Sequence, residues 1–149
     1  MGALTGEEVV SAISKNIRCY FSDEEIKAIY KNSPQQNIQK PYAFIHQISS
    51  DHKNEMRNRA SWSFMLDIRV HPRDNQTNIQ SWSRSIATRL IEAINIITVS
   101  GQAVKARSIE HRVEDKVLHI IVSYSFRVIR LEDDIPDMKN LLYGARVKD

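Results

Sequence analysis

The apolar positions along the chain change period several times, and each change marks an element. Between residues 5 and 21, Val9, Val10, Ile13, Ile17 and Tyr20 recur at helical spacing, and Thr5 and Glu8 stand at capping-box distance ahead of them. This predicts a helix over residues 5–21 with one buried stripe, on which Cys19 is expected to be a small buried residue. Ser22, Asp23 and Glu24 end the stripe, and the mixed stretch 26–31 reads as a strand. A polar loop containing Pro34 is expected over residues 32–40, after which Pro41 opens a strand over 42–48. Beyond a polar connection at 49–59, Trp62, Phe64, Leu66, Ile68 and Val70 alternate with Ser63, Met65, Asp67 and Arg69. A period of two means one face packed on a core and one more polar face. Pro72 ends this strand, and the two strands are expected to pair as a hairpin with a long, flexible arm.

The helical period then returns. Ile79, Trp82, Ile86, Leu90, Ala93 and Ile94 predict a second amphipathic helix over residues 75–95. Ser100-Gly101 is a turn signal after the apolar run 96–99, and a strand is expected over 103–113. Glu114, Asp115 and Lys116 make a tight turn into a long last strand. Its Leu118, Ile120, Val122, Tyr124, Phe126 and Val128 share one face, and His119, Ser123, Ser125 and Arg127 the other. Consecutive strands joined by short turns favour antiparallel pairing. Two amphipathic helices carry enough apolar surface to cover one face of such a sheet, which predicts an α+β two-layer sandwich. The opposite face, with Asp67, Ser123, Ser125 and Arg127, is left for solvent or a neighbouring subunit. Residues 1–130 are expected to form this domain. Residues 131–149 differ in character: Glu132, Asp133 and Asp134, then Pro136, then the apolar Met138, Leu141, Leu142 and Tyr143. They read either as a frayed terminus or as an acidic linker leading to an arm that docks on a neighbour.

Composition narrows the function. With 149 residues the chain fits one domain, and burial of roughly two-thirds of its surface removes the need for a metal or disulfide staple. Cys19 is the single cysteine, so no internal disulfide can form. The net charge of +3, with both signs interspersed, argues against a protein that coats nucleic acid. No apolar run approaches the roughly 20 residues of a membrane span, and residues 1–10 lack a signal-peptide pattern, so folding in a cytoplasm is expected. P-loop, GxGxxG, HExxH and GxSxG motifs are missing, and none of the four glycines sits in a phosphate-cradling loop. The five histidines, His46, His52, His71, His111 and His119, lack metal-ligand spacing, although His111 and His119 flank the last hairpin and are candidates to face each other across it. No catalytic residue, cofactor or metal site is therefore expected. The best functional candidate is the polar connection at 49–59, whose Lys53, Arg57 and Arg59 suit an acidic partner or phosphates.

Several segments are familiar. Gln39-Lys40-Pro41-Tyr42-Ala43-Phe44-Ile45-His46-Gln47-Ile48 resembles the "k-R/K-P-c-F-F-V" strand of a phage tail terminator family from Gram-positive prophages and defective, contractile-tail elements. Asn58-Arg59 and Trp62-Ser63-Phe64-Met65-Leu66-Asp67-Ile68 are similar to that family's "n-R-y...y-x-F-D-I" segment, and His71-Pro72 stands where its strand ends. Val99-Ser100-Gly101 and Val113-Glu114-Asp115-Lys116-Val117-Leu118-His119 resemble its "v-n-G" turn and "D-g-V-L-h" hairpin. Lys116 departs from the pattern, where a hairpin glycine is common, and residues 131–149 have no counterpart in it.

The resemblance implies a structural, non-enzymatic subunit found in a virion or tail-like particle and assembled in the bacterial cytoplasm. It implies a homo-oligomeric ring, expected to be a hexamer, that caps the head-proximal end of the tail tube and stops its polymerisation. The implied partners are the tail tube protein, the tail sheath in contractile systems, and neck or head-completion proteins. DNA passes the lumen only where the particle carries a head, and no membrane is involved. Lys53, Arg57 and Arg59 are then expected to contact the tube or a neighbouring subunit, and Leu141, Leu142 and Tyr143 to dock outside their own core. Another neck component, such as a tail completion or head–tail joining protein, is the nearest rival. A nucleic-acid-binding module built on Arg57, Arg59, Lys105 and Arg107 is a more distant one.

Overall fold

The structure, a computed structural model, describes residues 5–32 and 38–129. The elements follow in the order α1 (Gly6–Tyr20), β1 (Ala28–Tyr30), β2 (Tyr42–Asn54), β3 (Arg59–His71), α2 (Ile79–Ile94), β4 (Ile96–Val99), β5 (Gln102–Lys105), β6 (Ser108–Glu114) and β7 (Val117–Ile129). Five strands form a mostly antiparallel sheet in the order β1-β2-β3-β7-β6, and β4 pairs with β5 in a separate two-stranded sheet. The α+β sandwich expected from the periodicities is the observed fold class. The described residues divide into two compact units, one of residues 5–32, 38–51 and 63–125, the other of residues 52–62 and 126–129.

In the first unit the core is built from two periods meeting. Val9, Val10, Ala12, Ile13 and Ile17 of α1 are buried, as are Ile86, Ala87, Leu90, Ala93 and Ile94 of α2, and the two helices pack on each other. Below them lie alternate residues of the sheet: Phe64, Leu66, Ile68 and Val70 of β3, and Leu118, Ile120, Val122 and Tyr124 of β7. Thr5 caps α1, its hydroxyl accepting from the Glu8 amide at 3.3 Å. The other half of the capping box is missing, because the Glu8 carboxylate accepts instead from the Ser100 hydroxyl at 3.0 Å.

No glycine closes α2, so its last carbonyls must find donors elsewhere. Three successive ones do. Ala93 O accepts from the Asn16 side chain at 2.9 Å, Ile94 O from the Tyr124 hydroxyl at 2.5 Å, and Asn95 O from the Ala106 amide at 2.7 Å. Asn16 also donates to Ile96 O at 2.9 Å. Burial pushes the Tyr124 phenol above its ordinary pKa, so it stays a donor. A second clamp ties the end of α1 to α2. The Arg89 guanidinium bonds the Glu25 carboxylate and Tyr20 O, and lies 4.4 Å over the Phe21 ring. Its hydrogen bond to Glu25, helped by the Ser22 amide, lowers the Glu25 carboxyl from 4.5 to about 2.

Several expectations need correction. Cys19 and Tyr20 are exposed, because the buried stripe of α1 ends at Ile17 and the chain leaves the helix at Phe21. Helix α2 starts at Ile79, since Asn78 sits in the left-handed region (φ 51°) and breaks the backbone run. β1 pairs with β2 in parallel, Ala28 opposite Tyr42, so this consecutive pair is not antiparallel. The strand expected over 103–113 is two strands in two sheets, because Ala106 and Arg107 turn to bond Asn95 O and Ser123 O. Most of the connection expected at 49–59 is strand. β2 runs on to Asn54, and only residues 55–58 turn. The loop at 32–40 lies partly, and residues 131–149 wholly, outside the described residues. The turn at Asp115-Lys116 has both residues at positive φ (50° and 64°), the conformation for which the glycine missing at Lys116 is usually selected.

Two outcomes follow from the clamps. Tyr124→Phe leaves Ile94 O without its donor and should cost about 1–3 kcal/mol in urea unfolding. A cost indistinguishable from zero would show that the carbonyl is satisfied without Tyr124. The lowered Glu25 carboxyl stabilises the fold above its unfolded value of 4.5, and that contribution is lost as pH falls toward about 2. Glu25→Gln should therefore flatten the loss of stability between those two pH values, as read from denaturant midpoints. An equally steep acid limb in the variant would argue that the pair does not couple to folding.

Candidate functional site

In the first unit, the sheet face turned away from the helices holds a line of interacting rings and charges. Tyr30 meets Tyr42 edge-on at 5.3 Å, and Tyr42 stacks on His71 at 4.3 Å. Phe44 lies 5.8 Å from His46, with the Arg69 guanidinium 5.9 Å from its ring. Asp67 is only 7% exposed. One of its oxygens bonds both the Arg69 Nε and the His119 Nδ1, each at 3.1 Å. Its other oxygen is buried with no partner among the described residues. Burial holds His71 below its ordinary pKa, helped by the charge of Lys40, which is itself paired with Asp74 at 2.8 Å.

The arrangement centres on one shared carboxylate oxygen of Asp67. A carboxylate on a histidine Nδ1 is part of a nucleophile relay, but Arg69 takes the same oxygen, and among the described residues no hydroxyl or thiol bonds His119. No group of three or more His, Cys, Asp or Glu suited to a metal exists among the described residues. Half-buried aromatic rings with an arginine among them are what protein interfaces are rich in. His111 and His119 do not face each other. Arg112 stands opposite His119 and Ile120 opposite His111, which puts the two histidines on opposite faces. The Asp67–Arg69–His119 cluster was not anticipated. The available signal was that Asp67 and His119 both occupy the polar phase of strands whose other phase is apolar throughout.

The second unit, as far as it is described, comprises the ends of β2 and β3, the turn between them, and the end of β7. The Glu55 amide bonds Arg59 O at 2.9 Å, and Arg57 takes the left-handed position of the turn (φ 65°). Met56 at the tip is 82% exposed. The His52 and Trp62 rings face each other at 4.4 Å. Lys53, Arg57 and Arg59 are all exposed and sit within this one hairpin tip, against a single acid, Glu55. Leu141, Leu142 and Tyr143 lie outside the described residues.

A family model described as phage tail terminator protein matches residues 8–136. The chain belongs to the phage tail terminator family. The match takes in most of α1, the whole sheet and the basic hairpin tip, so both surfaces are parts of a tail terminator fold. The family is one of structural phage tail proteins and not of enzymes. A tail terminator is a component of a virion or tail particle and works against other tail or neck proteins. No curated protein matches the chain. A solved structure of a protein without a functional name aligns over 87% of this chain and 98% of its own, with 13% sequence identity and a TM-score of 0.37. That likeness is too distant to bear on fold or function.

Proposed function

We propose that this tail terminator forms a closed ring, a hexamer, that caps the head-proximal end of the tail tube and stops its polymerisation. The family match over residues 8–136 carries the reading. The physical features that support it are an open sheet face lined with rings and charges, and a basic hairpin tip with an exposed methionine. In this reading Lys53, Arg57 and Arg59 contact the tube or a neighbouring subunit, and Leu141, Leu142 and Tyr143 dock on a neighbour beyond the acidic residues 132–134. The ring assembles in the bacterial cytoplasm and presents a surface to neck or head-completion proteins. In a contractile element it also meets the last sheath ring.

Electron microscopy of tails made without the gene tests the reading. Overlong or ragged tubes are expected. Tubes of normal length that fail to complete a neck would overturn it in favour of another neck component. In the same assay Arg57→Ala with Arg59→Ala should lengthen tubes, as should truncation after Pro136. Normal lengths would remove the arm or the tail, respectively, from the capping contact.

A further inference from the structure

A groove crosses four strands of the sheet in the first unit. It has a volume of about 320 Å³ and is lined by one serine on each of four neighbouring strands, Ser49 on β2, Ser63 on β3, Ser123 on β7 and Ser108 on β6, together with Phe64 and Tyr124. Ser108 stands directly opposite Ser123. Asp51 lines the groove from β2, and Arg107, whose amide bonds Ser123 O at 2.8 Å, lines it beside β6. The groove therefore has an acidic end and a basic end, three strand spacings or about 14 Å apart.

Helix α1 carries the complementary pattern on its exposed ridge. Glu7, Ser11 and Lys15 follow one another at a spacing of four and are all exposed. Glu7 and Lys15 are eight residues apart, which is about 12 Å along a helix axis. The ridge is thus acidic at one end and basic at the other, with Ser11 between them accepting from the Lys31 ammonium at 3.2 Å, on nearly the length of the groove. Beside the ridge runs a second groove of about 430 Å³, with Ala12 and Val99 among its lining residues. It is suited to an apolar knob, and Met65, 38% exposed, lines the first groove. Among the described residues none of Glu7, Lys15, Asp51 and Arg107 is in an ion pair.

We infer that the serine groove of one copy receives the α1 ridge of the next, with Glu7 against Arg107, Lys15 against Asp51, and Met65 seated in the groove beside the ridge. The inference rests on the ring reading and names the surfaces that close the ring. The groove and the ridge are different surfaces, so the contact is heterologous and repeats head to tail, as a ring requires. Opposite charges at both ends also set the direction in which the helix lies, because the reversed orientation puts like charges together.

Charge exchange in tail-length complementation tests it. Arg107→Glu alone and Glu7→Arg alone should each give overlong tubes, and the two together in one chain should restore normal length. Asp51→Lys and Lys15→Glu, singly and together, should repeat the pattern. Thermal unfolding unchanged from wild type establishes that each variant is folded, and the second pair serves if a member of the first is not. Single exchanges that leave tube length normal while gene deletion lengthens tubes would overturn the groove assignment and leave the capping reading standing. Folded doubles that fail to restore length would overturn the pairing. Normal tubes after gene deletion would remove the capping reading, and this inference with it.

Discussion

The end of α2 is where the structure is tied together. A helix terminus leaves carbonyls that water or a cap must satisfy, and here neither a glycine turn nor a basic side chain in the last turn is supplied. The donors come from three separate parts of the chain: Asn16 on α1, Tyr124 in the middle of β7, and the Ala106 amide between β5 and β6. A buried carbonyl left unmade costs about 1–3 kcal/mol, so each of these bonds specifies as well as stabilises. Together they set where the first helix, the last strand and the small β4–β5 sheet lie relative to α2. Tyr124, fully buried, brings an apolar ring and a polar tip to the same point.

That anchoring decides which sheet face is covered. Once the alternate residues of β3 and β7 from Phe64 to Val70 and from Leu118 to Tyr124 are under the helices, the intervening positions have only the other face to occupy. Asp67, Arg69, His71 and His119 come together there because they share a phase on strands that are neighbours in the sheet. The surface of this tail terminator is thus a consequence of its core: the strand period that buries leucine and isoleucine presents charge and aromatic rings on the reverse side.

Much of this was legible in the chain. The helical stripe from Val9 to Ile17, the stripe from Ile86 to Ile94 and the alternation in both long strands each follow from one amphipathic period meeting one core. Their recognition requires nothing beyond residue spacing. The family resemblance rests on the same strands and turns, and the family match extends over them. Three basic residues of the hairpin tip were also evident, since Lys53, Arg57 and Arg59 stand in a stretch whose one apolar residue is Met56.

Tertiary structure alone decided the remainder. Residues 49–54 carry no periodic signal because nearly every side chain there is exposed, yet backbone pairing continues β2 to Asn54 without needing a buried face. The split of the 103–113 stretch into β5 and β6 depends on Asn95 O and Ser123 O drawing the amides of Ala106 and Arg107 toward different partners. The exposure of Cys19 turns on where α1 leaves the core, and the Asp67–His119 pair on two strands 52 positions apart becoming neighbours. By itself the sequence determined which elements form and which of their sides are apolar, because those depend on local spacing. Pairing, register and the company each polar side chain keeps depend on contacts distant in the chain, and no local period encodes them.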